Sequence, residues 1–302
     1  TYGMAEYKMP QSVSLAEVDR VAKMGVKFLT NTEVAVGSEP PAVAGGKNFD
    51  SEPVRADALS ASGTLAVQSV SFTDLEAWHD AIFLAVGLGE TNKLNIPGEE
   101  LDGVFDALAF IEKIKTRDWM SVPLGNTVAV VGAGNTAVDA VTQAKRLGAE
   151  KVIMVYRRTE KDASAYDYEM ELARKDGIEF VWQAAPIGIL SDEENVSVTG
   201  LRCEKTDGSL QLFDIPCDMV IKAVGQQKMV SFFTDVTSVE VDEIGRVLIN
   251  DNMRTSNSKI FAGGDCANGG AEAVDAAQMG KLAAQSIHEM LTGEKVKFAG
   301  SR

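Results

Sequence analysis

The feature that most constrains this chain is the stretch at residues 126–158, NTVAVVGAGNTAVDAVTQAKRLGAEKVIMVYRR. Residues 128–131 are β-branched apart from Ala129, which suits a short strand buried on both faces. Gly132 and Gly134 follow at once, and Asn135 or Thr136 is expected to cap a helix. Ala137, Val141, Ala144 and Leu147 then recur at helical spacing, which gives that helix one apolar face. Gly148 stands where a helix C-terminus favours a residue without Cβ. Residues 152–156 form the second strand. The loop reads G-x-G-x-x-A at Gly132, Gly134 and Ala137. The first glycine permits a tight turn, the second lets a pyrophosphate approach the backbone, and the alanine lets helix and strands pack closely. Free N–H groups and the positive end of the helix dipole then face the phosphates. Within a strand–loop–helix–strand unit, this pattern predicts a dinucleotide site rather than a plain turn.

The end of the second strand refines the expectation. An NAD site places Asp or Glu there to hold the ribose hydroxyls. This chain places Arg157 and Arg158 after Tyr156. Two guanidinium groups suit a phosphate dianion and do not bond a ribose diol as a carboxylate does. The expected nucleotide is NADP(H). The Arg-Arg pair also stands out because the 302-residue chain carries a formal charge of −15. That acidity argues against nucleic acid and anionic membrane as partners. No apolar run approaches the length of a membrane span, and the N-terminus has no signal-peptide pattern.

The three cysteines, Cys203, Cys217 and Cys266, form no C-x-x-C. A local redox dithiol and a four-cysteine iron–sulfur site within the chain are therefore excluded. Free buried thiols in a reducing cytoplasm are expected. His79 and His288 lack metal-ligand spacing and are read as structural, so no metal site is expected.

Along the chain, helices are expected at 15–24, around 106–114, at 167–175 and at about 272–291. Strands are expected at 26–29, 80–87, 178–182, 187–190, 198–203, 210–214, 218–225 and 260–264, with two more around a turn within 236–250. Residues 37–70, rich in Gly, Pro, Ser and Ala, read as a long loop insertion. The segments DAIFLAVG and DMVIKAVG share one design, an acid, an apolar strand and a closing glycine, Gly87 and Gly225. That weak duplication points to two nucleotide-binding domains. Gly264 and Asp265 end the last strand, shortly before the last helix. A strand-end carboxylate suits a ribityl chain, and a helix N-terminus suits a reduced flavin ring, so a second cofactor site is expected there.

These residues also carry a resemblance. YGMAEYKMP, LAVGLGETNKLNIPGEELDGVFDAL, VAVVGAGNTAVDA, VYRR, DMVIKAVGQ and IFAGGDCANGGAEAVDAAQMGK occur in the order seen in flavin- and pyridine-nucleotide-dependent oxidoreductases with two dinucleotide-binding domains. The chain is most similar to the small (β) subunits of NADPH-dependent glutamate synthase and to the electron-input region of dihydropyrimidine dehydrogenase. The resemblance covers nearly everything outside 37–70. It implies an α/β fold of two Rossmann-like, three-layer domains, with a complete NADPH domain (122–230) inserted into an incomplete FAD domain (1–121 and 231–302). It implies that Gly132, Ala133, Gly134, Asn135, Thr136 and Ala137 hold the NADPH pyrophosphate, Arg157 and Arg158 its 2′-phosphate, and that Gly225 lies beside it. Gly264 and Asp265 would face the FAD ribityl-diphosphate. Ala273 and Val274 would lie under the flavin's pyrimidine edge, and Gly87 would back that domain.

The family's FAD domain opens with its own G-x-G-x-x-G unit, which this sequence does not contain. The expected activity is hydride transfer from NADPH to FAD, with electrons passing to an iron–sulfur or glutamate synthase large-subunit-type partner. No side chain need act as acid or base, so no catalytic residue is assigned. The alternative is a module that binds NADPH without flavin chemistry of its own. A thioredoxin-reductase-like disulfide reductase shares the two-domain plan but needs a C-x-x-C.

Overall fold

The computed structural model describes residues 4–35, 68–194 and 196–295. In chain order the elements are α1 (Gln11–Lys23), β1 (Thr32–Ala35), β2 (Gln68–Ser71), α2 (Phe72–Trp78), β3 (Ile82–Leu84), β4 (Val104–Asp106), α3 (Ala107–Thr116), β5 (Thr127–Val131), α4 (Asn135–Leu147), β6 (Lys151–Tyr156), α5 (Asp167–Lys175), β7 (Glu179–Trp182), β8 (Ala184–Ser191), β9 (Val198–Lys205), β10 (Leu212–Pro216), β11 (Met219–Lys222), β12 (Ile260–Ala262), α6 (Asp265–Asn268) and α7 (Ala273–Thr292). They fall into two compact units, one of residues 1–23 and 90–226, the other of 24–89 and 227–302.

The first unit is built on a five-stranded parallel sheet, ordered β4-β11-β5-β6-β7. Its centre, β5, is buried on both faces, as its unbroken apolar run requires. Val128 and Val130 point into a core shared with Phe110 and Ile114 of α3 and Val138 and Val141 of α4. Ala129 and Val131 point the other way, to Leu201, Cys203 and Ile215 of the antiparallel sheet β10-β9-β8. Helices, parallel sheet and antiparallel sheet therefore make three layers. The α/β fold and the expected strand–loop–helix–strand unit are both present. The compact unit is wider than residues 122–230. β4 pairs with β11 and α3 packs on α4, which brings in residues 90–121, and residues 4–10 are tied to α3, α4 and α5.

The second unit holds the parallel pairs β1-β2 and β12-β3. Phe72, Leu84, Phe233, Ile260 and Cys266 share its core. The strand design seen twice in the sequence is realised twice: β3 runs toward Gly87 (φ +68°) and β11 toward Gly225 (φ +82°). Both glycines have the left-handed backbone that other residues rarely adopt.

Several expectations need correction. Residues 26–29 form no strand; Val26, Phe28 and Leu29 are exposed, and the neighbouring Thr32–Ala35 pairs with β2 instead. The pair of strands within 236–250 reduces to an isolated bridge between Val241 and Val247 around a turn closed by Asp242. The strand expected from 210 begins at Leu212, because Leu210 has φ +53° and cannot extend a ladder. Residues 68–70 of the expected 37–70 loop belong to β2; the rest, 37–67, lies outside the described residues. The cap of α4 is Gly134, not Asn135 or Thr136. The Asn135 side chain is taken instead by the Tyr166 N–H, which donates to its Oδ1 at 3.0 Å.

Candidate functional site

Where β5 ends, the chain turns at Gly132 with φ +137°. A Cβ there would lie 2.2 Å from the Ala223 carbonyl oxygen, so only glycine fits between this turn and the end of β11. Gly134 caps α4 without a side chain, and a Cβ on it would stand 3.2 Å from Ser164 Oγ. The N–H groups of Ala137 and Val138 go to Gly134 O, which leaves those of the first turn pointing outward. Gly148 closes α4 in the left-handed conformation, φ +116°.

This loop forms the floor of a cleft of about 600 Å³. Gly132, Ala133, Gly134, Thr136, Arg157, Arg158 and Gly225 all line it. Seven of the positions singled out in the sequence thus converge on one concavity. Asn135 and Ala137 do not face it: the Asn135 side chain is engaged with Tyr166, and Ala137 is fully buried against the sheet. Arg157 and Arg158 are exposed, and among the described residues neither makes an ion pair. Their carbonyls are fixed by the Thr206 hydroxyl and the Gln183 N–H, which holds the end of β6 in place.

Sequence reasoning missed several residues of the cleft wall. Asn92 donates its backbone N–H to Gly225 O at 2.9 Å and its Nδ2 to Val224 O at 3.3 Å, bracing the strand-end glycine. Ser164 faces Gly134. Lys222 lines the cleft, and its ammonium lies 3.3 Å from Glu99 and 3.2 Å from Asp106. Burial alone would raise the Glu99 carboxyl, but the N–H groups of Ile96 and Leu94 and the Lys222 ammonium hold it below its usual range. Asn92, Glu99 and Lys222 fall inside segments that carry the resemblance, but nothing in their local pattern assigns them to the cleft, and Ser164 lies in no such segment.

Gly87, Gly264, Asp265, Ala273 and Val274 belong to the other unit. Gly264 has φ +73° and ψ −154°, a region open to glycine alone. The following Asp265 accepts the Ala271 N–H at 3.2 Å. A Cβ on Gly264 would come within 3.4 Å of Ala276, so the strand end and the first turns of α7 are neighbours, as the sequence implied. The α7 N-terminus is, however, already supplied with carboxylates. Glu272 accepts the Asp275 N–H while Asp275 accepts the Glu272 N–H. An added anion there meets two negative charges along with the helix dipole. Val274 is 73% exposed.

The family model for pyridine nucleotide-disulphide oxidoreductases matches residues 55–280. The chain belongs to this family. Family membership supports a pyridine-nucleotide-dependent oxidoreductase. Similar proteins include the glutamate synthase [NADPH] small chain of Escherichia coli K12, 30% identical over 96% of this chain and 60% of that one. The NADP(+)-dependent formate dehydrogenase subunit beta of Moorella thermoacetica is 26% identical over 96% of this chain and 38% of its own length. The chain thus spans 60% or less of these two relatives. Among solved structures, T. acidophilum thioredoxin reductase superposes with a TM-score of 0.60 at 20% identity, covering 70% of this chain and 66% of that one, which supports the same fold. The disulphide of the family's description has no counterpart here. Cys203, Cys217 and Cys266 are free and buried. Burial pushes the thiols of Cys203 and Cys217 up to about 12, so they are poor nucleophiles. Among the described residues, no helix is long and apolar enough to cross a membrane.

Proposed function

We propose that this chain is a cytoplasmic electron-input module that takes reducing equivalents from NADPH toward FAD and an iron–sulfur acceptor of the glutamate synthase type. The supporting observation is the convergence of the glycine-rich loop, the Arg157–Arg158 pair and Gly225 on one cleft. The residues fit NADPH. The turn at Gly132 and the bare cap at Gly134 leave room for a pyrophosphate against the first N–H groups of α4. Arg157 and Arg158 offer guanidinium groups to a 2′-phosphate. Gly225, braced by Asn92, lines the same cleft, where the rest of the nucleotide would pass. When bound, NADPH supplies a hydride; this chain's own residues bind and orient it, and no side chain need move a proton.

The residues offered to FAD are Gly264, Asp265, Ala273, Val274 and Gly87, and the fit is partial. Among the described residues of that unit no glycine-rich loop holds the diphosphate, and Glu272 and Asp275 oppose an anionic flavin at α7. Those carboxylates favour a second reading, a module that binds NADPH without flavin chemistry of its own. The partner is proposed because relatives are named as subunits, a glutamate synthase small chain and a formate dehydrogenase subunit beta.

The test is the double variant Arg157→Ala/Arg158→Ala. A hydrogen bond to a charged group contributes about 1.5 kcal/mol at the low end of its range, so each arginine should account for roughly tenfold in affinity. NADPH binding should weaken by about a hundredfold while NADH binding is unchanged. A double variant that keeps the wild-type preference for NADPH refutes the assignment.

A further inference from the structure

We infer that Ser164 is a phosphate-binding residue of the cleft, its hydroxyl donating to the nucleotide's pyrophosphate across Gly134; this rests on the NADPH reading above. The loop that carries Ser164, residues 159–166, runs from Arg158 to α5 and is bonded to the glycine-rich loop at the serine and at the two residues after it. The N–H groups of Ser164 and Ala165 both donate to Ala133 O at 3.1 Å. The Tyr166 N–H donates to Asn135 Oδ1 at 3.0 Å. Upstream, Asp162 Oδ2 accepts the Thr159 N–H at 3.1 Å and its hydroxyl at 2.6 Å, and the Tyr156 hydroxyl donates to Asp162 O at 3.0 Å. A surface loop with this many ties to its neighbours is held in one conformation, and the serine is held with it.

The Ser164 hydroxyl itself is not consumed by these bonds. It has no hydrogen-bond partner among the described residues, and it lines the cleft. It stands 3.2 Å from the position a Cβ on Gly134 would take, on the side where an ordinary capping residue would project its own oxygen. Ser, Thr, Asn and Asp are preferred at that position because their oxygen satisfies helix N–H groups. Here the glycine leaves the position bare and a serine from another loop overlooks it. A hydroxyl that rotates freely can donate, and donation to an anionic oxygen is stronger than to a neutral one. The ties to Ala133 and Asn135 place Ser164 at the phosphate loop, whereas Arg157 and Arg158 leave β6 at the far end of the 159–166 segment. The hydroxyl is therefore assigned to the pyrophosphate, which NADPH and NADH share, and not to the 2′-phosphate.

The experiment compares Ser164→Ala and Ser164→Thr in the full chain by equilibrium binding of NADPH and of NADH, with the nucleotide-free melting temperature as control. Ser164→Ala should weaken both nucleotides by the same factor, roughly tenfold for one charge-assisted hydrogen bond at the low end of its range. Ser164→Thr should retain binding, and the nucleotide-free melting temperature should not move, because the hydroxyl makes no internal bond. Wild-type protein that binds no NADPH would overturn the reading of the cleft itself. Wild-type binding with Ser164→Ala unchanged would leave that reading intact and overturn this inference. A loss confined to NADPH would overturn the pyrophosphate assignment.

Discussion

Residues 4–10 are held against the nucleotide unit by a buried charge cluster, and Lys8 is its centre. The Lys8 ammonium lies 2.8 Å from Asp139 of α4 and 2.6 Å from Glu169 of α5, whose side chains are 8% and 4% exposed. The Tyr7 hydroxyl donates to the same Asp139 at 2.7 Å, and the Arg146 guanidinium lies over the Tyr7 ring at 4.6 Å. The fully buried Lys115 ammonium donates to Met4 O and Met9 O, closing the segment from below. Lys8→Met removes one cation and leaves two buried carboxylates facing each other. Breaking a buried pair from one side costs about 3–5 kcal/mol. The Lys8 side chain is 22% exposed, so some water reaches the site and the lower figure, about 3 kcal/mol, applies. For a unit of this size that corresponds to a melting temperature lower by roughly 6–12 °C.

The pH dependence has a definite sign. Burial lowers the Lys8 pKa, but the hydrogen bonds and charges of Asp139 and Glu169 outweigh it and raise it above the ordinary 10.5. A raised folded pKa means that the ammonium's contribution is fully present below about 10.5 and is lost as the pH rises through the folded value. The gap between wild type and variant should therefore be wide at neutral pH and narrow at high pH. Calorimetry across neutral to alkaline pH measures this change. A variant within 1 kcal/mol of wild type at neutral pH (about one factor of five in the folding equilibrium) would refute the argument. The triple variant Lys8→Met/Asp139→Asn/Glu169→Gln, which removes the charges together, should recover most of the loss.

Two glycines of the α4 unit should separate sharply on substitution. Gly132→Ala drives a Cβ into the Ala223 carbonyl at φ +137° and should cost more than about 3 kcal/mol, read as loss of folded protein in denaturant titration. Gly148→Ala meets nothing within 4 Å and should cost only the left-handed penalty, about 1–2 kcal/mol; equal losses at both sites would contradict the packing argument. The visible absorption spectrum of the purified chain with added FAD separates the two readings of the second unit. A bound-flavin band that bleaches with NADPH supports the flavin reading, and a chain that stays colourless supports the module that only binds NADPH.

The sequence by itself determined the elements whose rules are local. The helix at 167–175 lies where periodicity placed it, α4 ends at Gly148, and β5 and β6 agree within a residue, because hydrophobic period and left-handed backbone are properties of adjacent residues. The glycine-rich loop and the arginine pair were legible for the same reason. Only the tertiary structure decided which distant residues meet. Tyr7 and Asp139 are 132 positions apart, as are Asn92 and Val224, and neither contact leaves a trace in the residues around it. Ser164 reads as an ordinary loop serine until the hydrogen bonds to Ala133 and Asn135 bring it to Gly134. The cap of α4 was misplaced because Asn135, a good capping residue by type, spends its oxygen on Tyr166. The segment 26–29 reads as a strand, but a strand forms only where a partner supplies the other half of its hydrogen bonds, and the structure gives that partner to Thr32–Ala35.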